Sequence, residues 1–148
     1  MKIRSAVPAD IHSMMALQKH AATAAHWPVE QYESLFAASG VRRLALVIEE
    51  DGVLQGFLMA RSSGSEWEIE NIAVTGPARR RGLGTRLLGE FLDLARREGA
   101  QSVFLEVRES NRAARALYEK WAFVESGHRK GYYRDPQEDA VTYQLLFG

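Results

Sequence analysis

The sequence predicts a mixed α/β fold in which helices cover both faces of one sheet. Short segments alternate apolar and polar residues at strand period, longer segments repeat apolar residues at helical period, and one strand, helix, strand succession lies mid-chain. Two strands joined through a helix are parallel, because the crossover returns the chain to the same end of the sheet. With 148 residues, of which 46% are hydrophobic, we expect a single domain with a continuous core.

The N-terminal segment predicts a strand and two helices. Lys2 to Val7 alternates at strand period, and Pro8-Ala9-Asp10 then opens a helix. Trp27-Pro28 begins a second helix, for which Gly40 is the expected end. The residues at helical spacing are Ile11, Met14, Met15 and Leu17 in the first helix, and Val29, Tyr32, Leu35 and Phe36 in the second.

The next segment predicts three antiparallel strands. Leu44 to Ile48 is a short apolar run, and Asp51-Gly52 is a strong hairpin turn. Val53 to Ala60 returns as a strand, and a second turn is expected over Ser62 to Ser65. Glu66 to Val74 completes the meander.

The C-terminal half predicts a helix, a strand, a second helix and a hairpin. The first helix is long and amphipathic and ends near Gly99, after which Ser102 to Val107 follows as a strand. Asn111 to Lys120 is a short helix. The segment from Phe123 to Leu146 predicts two more strands around a loop that contains Asp135-Pro136.

Composition excludes several functions. The 19 basic residues balance 19 acidic ones, so no global field attracts nucleic acid, and the lack of cysteine excludes a disulfide framework or a thiol nucleophile. No signal peptide or bilayer-length apolar run is present, so we expect a cytoplasmic protein with no membrane partner. We expect no metal, because the histidines show neither metal-ligand spacing nor a partner acid; they are His12, His20, His26 and His128.

A glycine-rich turn precedes the long helix and predicts an anion site. Its sequence is Arg79-Arg80-Arg81-Gly82-Leu83-Gly84-Thr85. Glycines let the backbone approach a ligand closely, and the first amides of a helix together with its dipole favour a phosphate. The arginines add positive charge. The alternative is a tight turn with solvated basic residues.

Two common phosphate-binding loops do not match this turn. The Walker loop needs Lys and then Ser or Thr after its last glycine, and here Gly84 is followed by Thr85 and Arg86. The dinucleotide-binding loop needs a third glycine where this chain has Leu87. The remaining pattern is Arg-x-x-Gly-x-Gly.

This pattern resembles the pyrophosphate-binding signature of the GNAT acetyltransferases. The order of predicted elements is also the family's, which implies a GNAT fold over residues 1–148, a mostly antiparallel sheet of about six to seven strands in which the parallel pair splays apart. Further segments resemble the RimI-type subfamily, the ribosomal-protein alanine N-acetyltransferases. They are Asn71-Ile72-Ala73-Val74, Leu105-Glu106-Val107-Arg108, Ser110-Asn111 and Ala116-Leu117-Tyr118-Glu119.

The resemblance implies that acetyl-CoA is the cosubstrate. Its pantetheine arm would pair with main-chain groups of Ile72, Ala73 and Val74, whose side chains also suit a buried strand. Asn111 would hydrogen-bond the cosubstrate, or alternatively cap the helix that follows.

The resemblance also implies a general base at Glu106 and a general acid at Tyr118. Tyrosine keeps its proton at neutral pH, since its usual pKa is about 10. Tyr118 has the alternative of simple packing on the sheet. Glu70 is a rival base, because it lies on the strand before the signature turn, where the alternative for it and for Glu66 and Glu68 is a solvated face.

The acceptor is less well defined. The segments Arg129 to Tyr133 and Glu138 to Ala140 resemble the region that shapes the peptide entrance in protein N-terminal acetyltransferases, although Gly131 and Trp121-Ala122 depart from the subfamily pattern. The paired tyrosines of this region, Tyr132 and Tyr133, would either clamp a peptide backbone or pack together at a hairpin. A protein α-amine is the favoured acceptor; a small-molecule amine and a non-catalytic acyl-CoA-binding module are the alternatives. Either a monomer or a homodimer is expected.

Overall fold

The structure is a computed structural model and describes residues 1–20, 27–36, 42–75, 82–134 and 137–147. Gly40, Asp135-Pro136 and the arginines at 79–81 lie outside these ranges. The strands are β1 Lys2–Ser5, β2 Arg42–Glu50, β3 Val53–Ser63, β4 Glu66–Val74, β5 Ser102–Arg108, β6 Val124–Tyr133 and β7 Glu138–Leu146, and the helices are α1 Ile11–His20, α2 Val29–Glu33, α3 Leu83–Arg97 and α4 Arg112–Lys120.

The described strands form one seven-stranded sheet in the order β1-β2-β3-β4-β5-β7-β6. Only the pair β4–β5 is parallel among them, as the strand, helix, strand succession predicted. β1 ends at Ser5 rather than Val7, and β3 continues to Ser63, so the second turn of the meander is shorter than expected. A mixed, mostly antiparallel sheet is therefore confirmed.

The parallel pair separates at one end. Its register runs only from Glu66 opposite Ser102 to Ile69 opposite Leu105, although β4 continues to Val74. On the other side of β4, the register with β3 shifts at Glu70, which is one extra residue. Such a bulge increases the local twist of a strand and bends it. The bulge accounts for β4 leaving β5 beyond Ile69.

Helices cover both faces of the sheet. On one face, α3 and α4 pack on a large core that includes Phe91, Leu105, Val107 and Tyr118. On the other face, α1 and α2 pack on a smaller core that includes Phe57. None of the described helices is both long and apolar enough to cross a membrane.

The amide of Gln18 connects α1 to the start of α2. Its Nε2 donates to the carbonyl oxygen of Trp27 at 2.8 Å, and its Oε1 accepts from the amide of Trp27 at 3.0 Å and from the Tyr32 hydroxyl at 2.6 Å. Gln18 and Tyr32 are both buried. Because all three bonds are buried, they fix the distance between the two helices.

Candidate functional site

An open cavity of about 230 Å³ lies where β4 and β5 separate. α4 contributes Ala113, Ala114 and Leu117 to its wall, none of which was among the predicted site residues. Leu83 points into the core instead, so only its main chain remains available to a ligand. The predicted site residues that line the cavity are Ile72, Ala73, Val74, Gly82, Gly84, Thr85, Asn111 and Tyr118.

The N-terminus of α3 opens onto this cavity. Gly82 caps the helix with φ +71°, a left-handed conformation that favours glycine, and no side chain caps the first turn. The backbone and packing do not require glycine at position 84. A Cβ there would meet only Leu117 Cδ2, at an ordinary contact distance of 3.7 Å. The fold itself would accept alanine at this position. The missing side chain therefore leaves room on the cavity side, next to helix amides that favour an anion.

The end of β4 forms a second wall. Ile72 and Val74 are half-buried on the α3 side, and Ala73 packs on the opposite core. Among the described residues, the register of β4 with β5 ends at Ile69, so Ile72 to Val74 lie beyond it. A strand that has left its neighbour can offer main-chain donors and acceptors to an extended ligand.

Asn111 stands at the start of α4, and its Oδ1 accepts from the amide of Ala114 at 3.1 Å. The capping role that the sequence offered as an alternative is confirmed. Asn111 also lines the cavity, so its amide group faces the same space as the α3 terminus. A cap fixes the start of a helix and so the direction of its residues.

Tyr118 lies two turns further along α4. Its ring is 4% exposed and packs against Phe123 at 5.7 Å and Tyr143 at 6.1 Å between centroids. Burial raises the pKa of the Tyr118 hydroxyl well above its usual value, and the hydroxyl of Tyr133 adds to the effect. The hydroxyl therefore carries its proton throughout the neutral range.

The last turn of α4 holds Tyr118 in place. The amide of Phe123 donates to the Tyr118 carbonyl at 3.0 Å, and the amide of Ala122 donates to the Glu119 carbonyl at 3.0 Å. This is a Schellman motif, with the aromatic contact between Phe123 and Tyr118 that often accompanies it. Ala122 occupies its left-handed position with φ +70°.

Glu106 lies on the opposite face of the sheet from Tyr118. Its neighbours on β5, Leu105 and Val107, belong to the core that contains Tyr118, and successive side chains of a strand alternate between faces. The Glu106 side chain is 15% exposed, and its Oε1 lies 3.5 Å from Arg129 Nε. Its Oε2 is buried without a hydrogen-bond partner among the described residues. The structure therefore does not bring both catalytic candidates into one cavity.

The rival base Glu70 is held by an arginine. Arg43 Nε and Nη2 lie 3.1 and 3.5 Å from its two carboxylate oxygens, and both side chains are largely buried. Arg61 holds Glu68 at 2.9 Å. Burial raises the pKa of Glu68, with Glu70 and Glu106 adding to the rise and Arg61 opposing it. These glutamates are paired and half-buried, which rules out the solvated face that the sequence left open.

Two tyrosines stand near Glu106 at the β6–β7 hairpin. The rings of Tyr132 and Tyr133 meet edge to face at 5.1 Å, and Arg129 lies 5.1 Å from the Tyr132 centroid. Burial and the charge of Glu106 raise the pKa of Tyr133 to about 12. Gly131, which directly precedes the two tyrosines, has φ +62°, a left-handed conformation that favours glycine.

Trp121, another residue that departs from the subfamily pattern, packs against a glycine of α3. A Cβ on Gly89 of α3 would stand 2.9 Å from Trp121 Cη2, so the indole fills the space that the glycine leaves. Larger residues at one helix require smaller residues at the other when the interior is closely packed. The large indole of Trp121 is therefore matched by the small Gly89 on the facing helix.

One sequence expectation about histidine is wrong. His128 does have a partner acid, because its Nε2 lies 2.8 Å from Asp139 Oδ2 and 3.6 Å from Glu109 Oε2. The hydrogen bond to Asp139 raises the pKa of His128, with a further contribution from Glu109. Asp139 also accepts from the amide of Gly131 at 2.7 Å. The pair forms across β6 and β7, so it depends on a register that single-sequence spacing does not show.

Comparison with known proteins gives consistent results. The sequence profile of the acetyltransferase (GNAT) family matches residues 11–123. The ribosomal protein bS18-alanine N-acetyltransferase of Escherichia coli K12 is 37% identical over 116 residues, or 76% of this chain and 78% of that protein. A crystal structure of the ribosomal-protein-S18-alanine N-acetyltransferase from Escherichia coli has a TM-score of 0.88 at 31% identity, covering 98% of this chain and 92% of that one. The structure of Ard1 from Thermoplasma volcanium has a TM-score of 0.87 at 28% identity, covering 99% and 97%.

Proposed function

The chain belongs to the acetyltransferase (GNAT) family, and on that basis we propose that it transfers the acetyl group of acetyl-CoA to the α-amino group of a protein N-terminus. The observation that carries the proposal is the cavity where β4 and β5 separate. It joins a helix N-terminus suited to an anion, the end of β4 beyond its register with β5, which suits an extended chain, and a buried tyrosine.

Acetyl-CoA fits these three features in order. Its pyrophosphate would lie on the amides of Leu83, Gly84 and Thr85, which have no acceptor within the helix. Its pantetheine arm would pair with the main chain of Ile72 to Val74, and its thioester would then reach Tyr118. The arginines at 79–81 are proposed to add positive charge around the phosphates.

The base is proposed to be Glu106. The attacking amine forms a C–N bond to the thioester carbonyl and must lose a proton. Glu106 has a buried oxygen with no partner among the residues described, whereas both oxygens of Glu70 face Arg43. Because Arg43 engages both oxygens of Glu70, neither is open to an incoming amine. The pairing of Glu70 therefore favours Glu106.

The acid is proposed to be Tyr118. As the C–S bond breaks, negative charge develops on sulfur, and a protonated hydroxyl nearby stabilises it. A thiol, with a usual pKa of about 8.5, is a stronger acid than tyrosine, so full transfer from Tyr118 is uphill. Its main contribution is therefore a hydrogen bond to the departing thiolate, which then takes up a proton from solvent to give the product thiol.

The acceptor is proposed to be an N-terminal alanine of a ribosomal protein, because the relative named above acts on one. The pKa values of the amines support this class. An α-amine titrates near 7.7–8.0 and lysine near 10.4, so a neutral lysine costs about 3–4 kcal/mol more at neutral pH. A single carboxylate base can therefore deprotonate an α-amine more easily than a lysine side chain.

A screen of acceptors tests the proposal. Acetyl-CoA consumption would be followed with peptides of varied N-terminal residue, with polyamines and with aminoglycosides. We expect peptides that begin with alanine to give the highest kcat/KM. Faster turnover of a small amine would favour the small-molecule alternative, and binding of acetyl-CoA without turnover of any amine would favour a non-catalytic module.

A further inference from the structure

The α1–α2 face of the sheet carries three neighbouring carboxylates that differ in how well they are paired. Glu70 and Glu68 each have an arginine within 3.1 Å. Glu106 has only a looser ion pair of 3.5 Å, to Arg129. The unpartnered and buried Oε2 of Glu106 has no counterpart on the other two among the described residues. Glu106 is the carboxylate whose charge is least compensated.

The cation that faces Glu106 is also the most exposed of the three. The Arg129 side chain is 58% exposed, against 15% for Glu106. An exposed ion pair is weak, because water screens it and a long side chain loses freedom to hold it. Little free energy therefore resists the departure of Arg129 from Glu106.

The register explains why Arg129 can both reach Glu106 and leave it. On the same face, Glu106 lies opposite Thr142, which lies opposite Gly127 on β6. Gly127 has no side chain to fill the space beside Thr142, so Arg129, two residues along β6, can lean across. The guanidinium also lies over the half-exposed ring of Tyr132, 5.1 Å from its centroid, a contact that does not depend on Glu106.

We propose that, in the free enzyme, Arg129 occupies the position beside Glu106 that the ammonium group of the acceptor takes on binding. The acceptor N-terminus then displaces Arg129 from Glu106. This inference rests on the proposed function, since it names what occupies the acceptor side of Glu106. An ammonium group is more compact than a guanidinium and carries three donors, so it can approach both oxygens, including the unpartnered Oε2. Arg129 thereby sets the affinity for charged acceptors.

The groups around Glu106 favour this exchange. Glu68 lies near it on β4, and Tyr133 approaches it from β6. Arg108, two residues along β5 on the same face, lies over Tyr133 and pairs with Glu138. The glutamates of β4 pair with their own arginines and Arg108 pairs with Glu138, so Glu106 still needs a cation beside it. Arg129 meets that need in the free enzyme and remains nearby on Tyr132 afterwards.

The test is calorimetric titration of the CoA-bound enzyme with an alanine-initiated peptide, either free or acetylated at its N-terminus. Arg129→Gln removes the competing cation, so the free peptide should bind about two- to fivefold more tightly at pH 7, the scale of one exposed ion pair. The acetylated peptide should bind unchanged. At pH 9 the gain should vanish, because the amine, with a pKa near 7.7–8.0, is then mostly neutral.

Control variants separate this role from a structural one. Arg129→Lys keeps a competing cation and should give no gain in affinity for the free peptide, and Arg97→Gln, which removes an exposed arginine of α3, should change nothing. Weaker or unchanged binding of the free peptide to Arg129→Gln, in an enzyme that still turns peptides over, would overturn the inference alone. Failure of the wild type to bind or acetylate any peptide would overturn the proposed function together with it.

Discussion

At the scale of single residues, the two catalytic candidates face opposite sides of the sheet. Tyr118 lines the cavity on the α3–α4 side, and Glu106 faces the α1–α2 side. In the proposed reaction the two sides would meet where β4 leaves β5. A base on one side and an acid on the other do not neutralise each other, and each can serve one partner of the reaction. The leaving thiolate would then lie on the Tyr118 side and the attacking amine on the Glu106 side.

Tyr118→Phe tests the acid. The ring contacts with Phe123 and Tyr143 are kept, and only the hydroxyl is lost. We expect kcat to fall about a hundredfold, with little change in the KM for acetyl-CoA, because the hydroxyl acts as the thiolate leaves. Tyr143→Phe, a second buried tyrosine in the same core, should leave kcat near the wild-type value. A loss confined to KM would make Tyr118 a binding residue.

Glu106→Gln tests the base. We expect the rate on an α-amine to fall about a hundredfold at pH 7 and to recover up to about tenfold at pH 9, where solvent has already deprotonated the amine. Rates would be measured with saturating acetyl-CoA. The matched variant is Glu70→Gln, on the same face. A pH-dependent loss in Glu70→Gln rather than in Glu106→Gln would move the base to β4.

At the scale of elements, helix ends determine the geometry of the site. The start of α3 presents amides to the cavity, the Asn111 cap fixes the start of α4, and the Schellman motif at its end fixes Tyr118. The bulge at Glu70 adds the separation of β4 from β5. Each of these features is local, and together they place the start of α3, the end of β4 and one side of α4 around a single cavity.

Gly84→Ala separates the fold from the site at the start of α3. The added methyl group meets only ordinary contacts in the protein, and alanine is the better helix former by about 0.5–1 kcal/mol. We therefore expect thermal stability to be kept or raised, while the affinity for CoA falls about tenfold, or roughly 1.4 kcal/mol. Thermal unfolding and calorimetry on the same variant would show both effects. Unchanged affinity would remove the turn from the site.

Ala122→Gly tests the C-terminus of α4. The left-handed φ of +70° strains alanine, and glycine should relieve about 0.5–1 kcal/mol, which corresponds to a rise in Tm of a few degrees. Ala116→Gly, an exposed position within the same helix, should instead lower Tm. Differential scanning calorimetry would compare the two. A lower Tm for Ala122→Gly would show that φ at this position relaxes without cost.

At the scale of the whole molecule, the sheet separates two working surfaces. Its α3–α4 face forms the cavity suited to the cosubstrate, and its α1–α2 face carries the carboxylates and the hairpin tyrosines. The amide of Gln18 connects the two helices of that second face. Within the described residues, the proposed acceptor side is therefore built on helices and strands that buried hydrogen bonds connect.

Sequence alone was sufficient where the signal is local. The alternation in Glu66 to Val74 and the helix that follows predicted a parallel pair, and the glycines at 82 and 84 predicted the helix terminus. Contacts across strands could not be predicted, because a pattern of residues does not fix register. The pair Glu106–Arg129 and the pair His128–Asp139 are of this kind.

The central claim is tested most directly by one ratio of rates. Two peptides would be matched in sequence, one with a free N-terminal alanine and no lysine, the other with a blocked N-terminus and one lysine. The account predicts that kcat/KM at pH 7 favours the free N-terminus by at least about tenfold, or roughly 1.4 kcal/mol in transition-state free energy. Equal rates on the two peptides, or faster acetylation of the lysine, would contradict it.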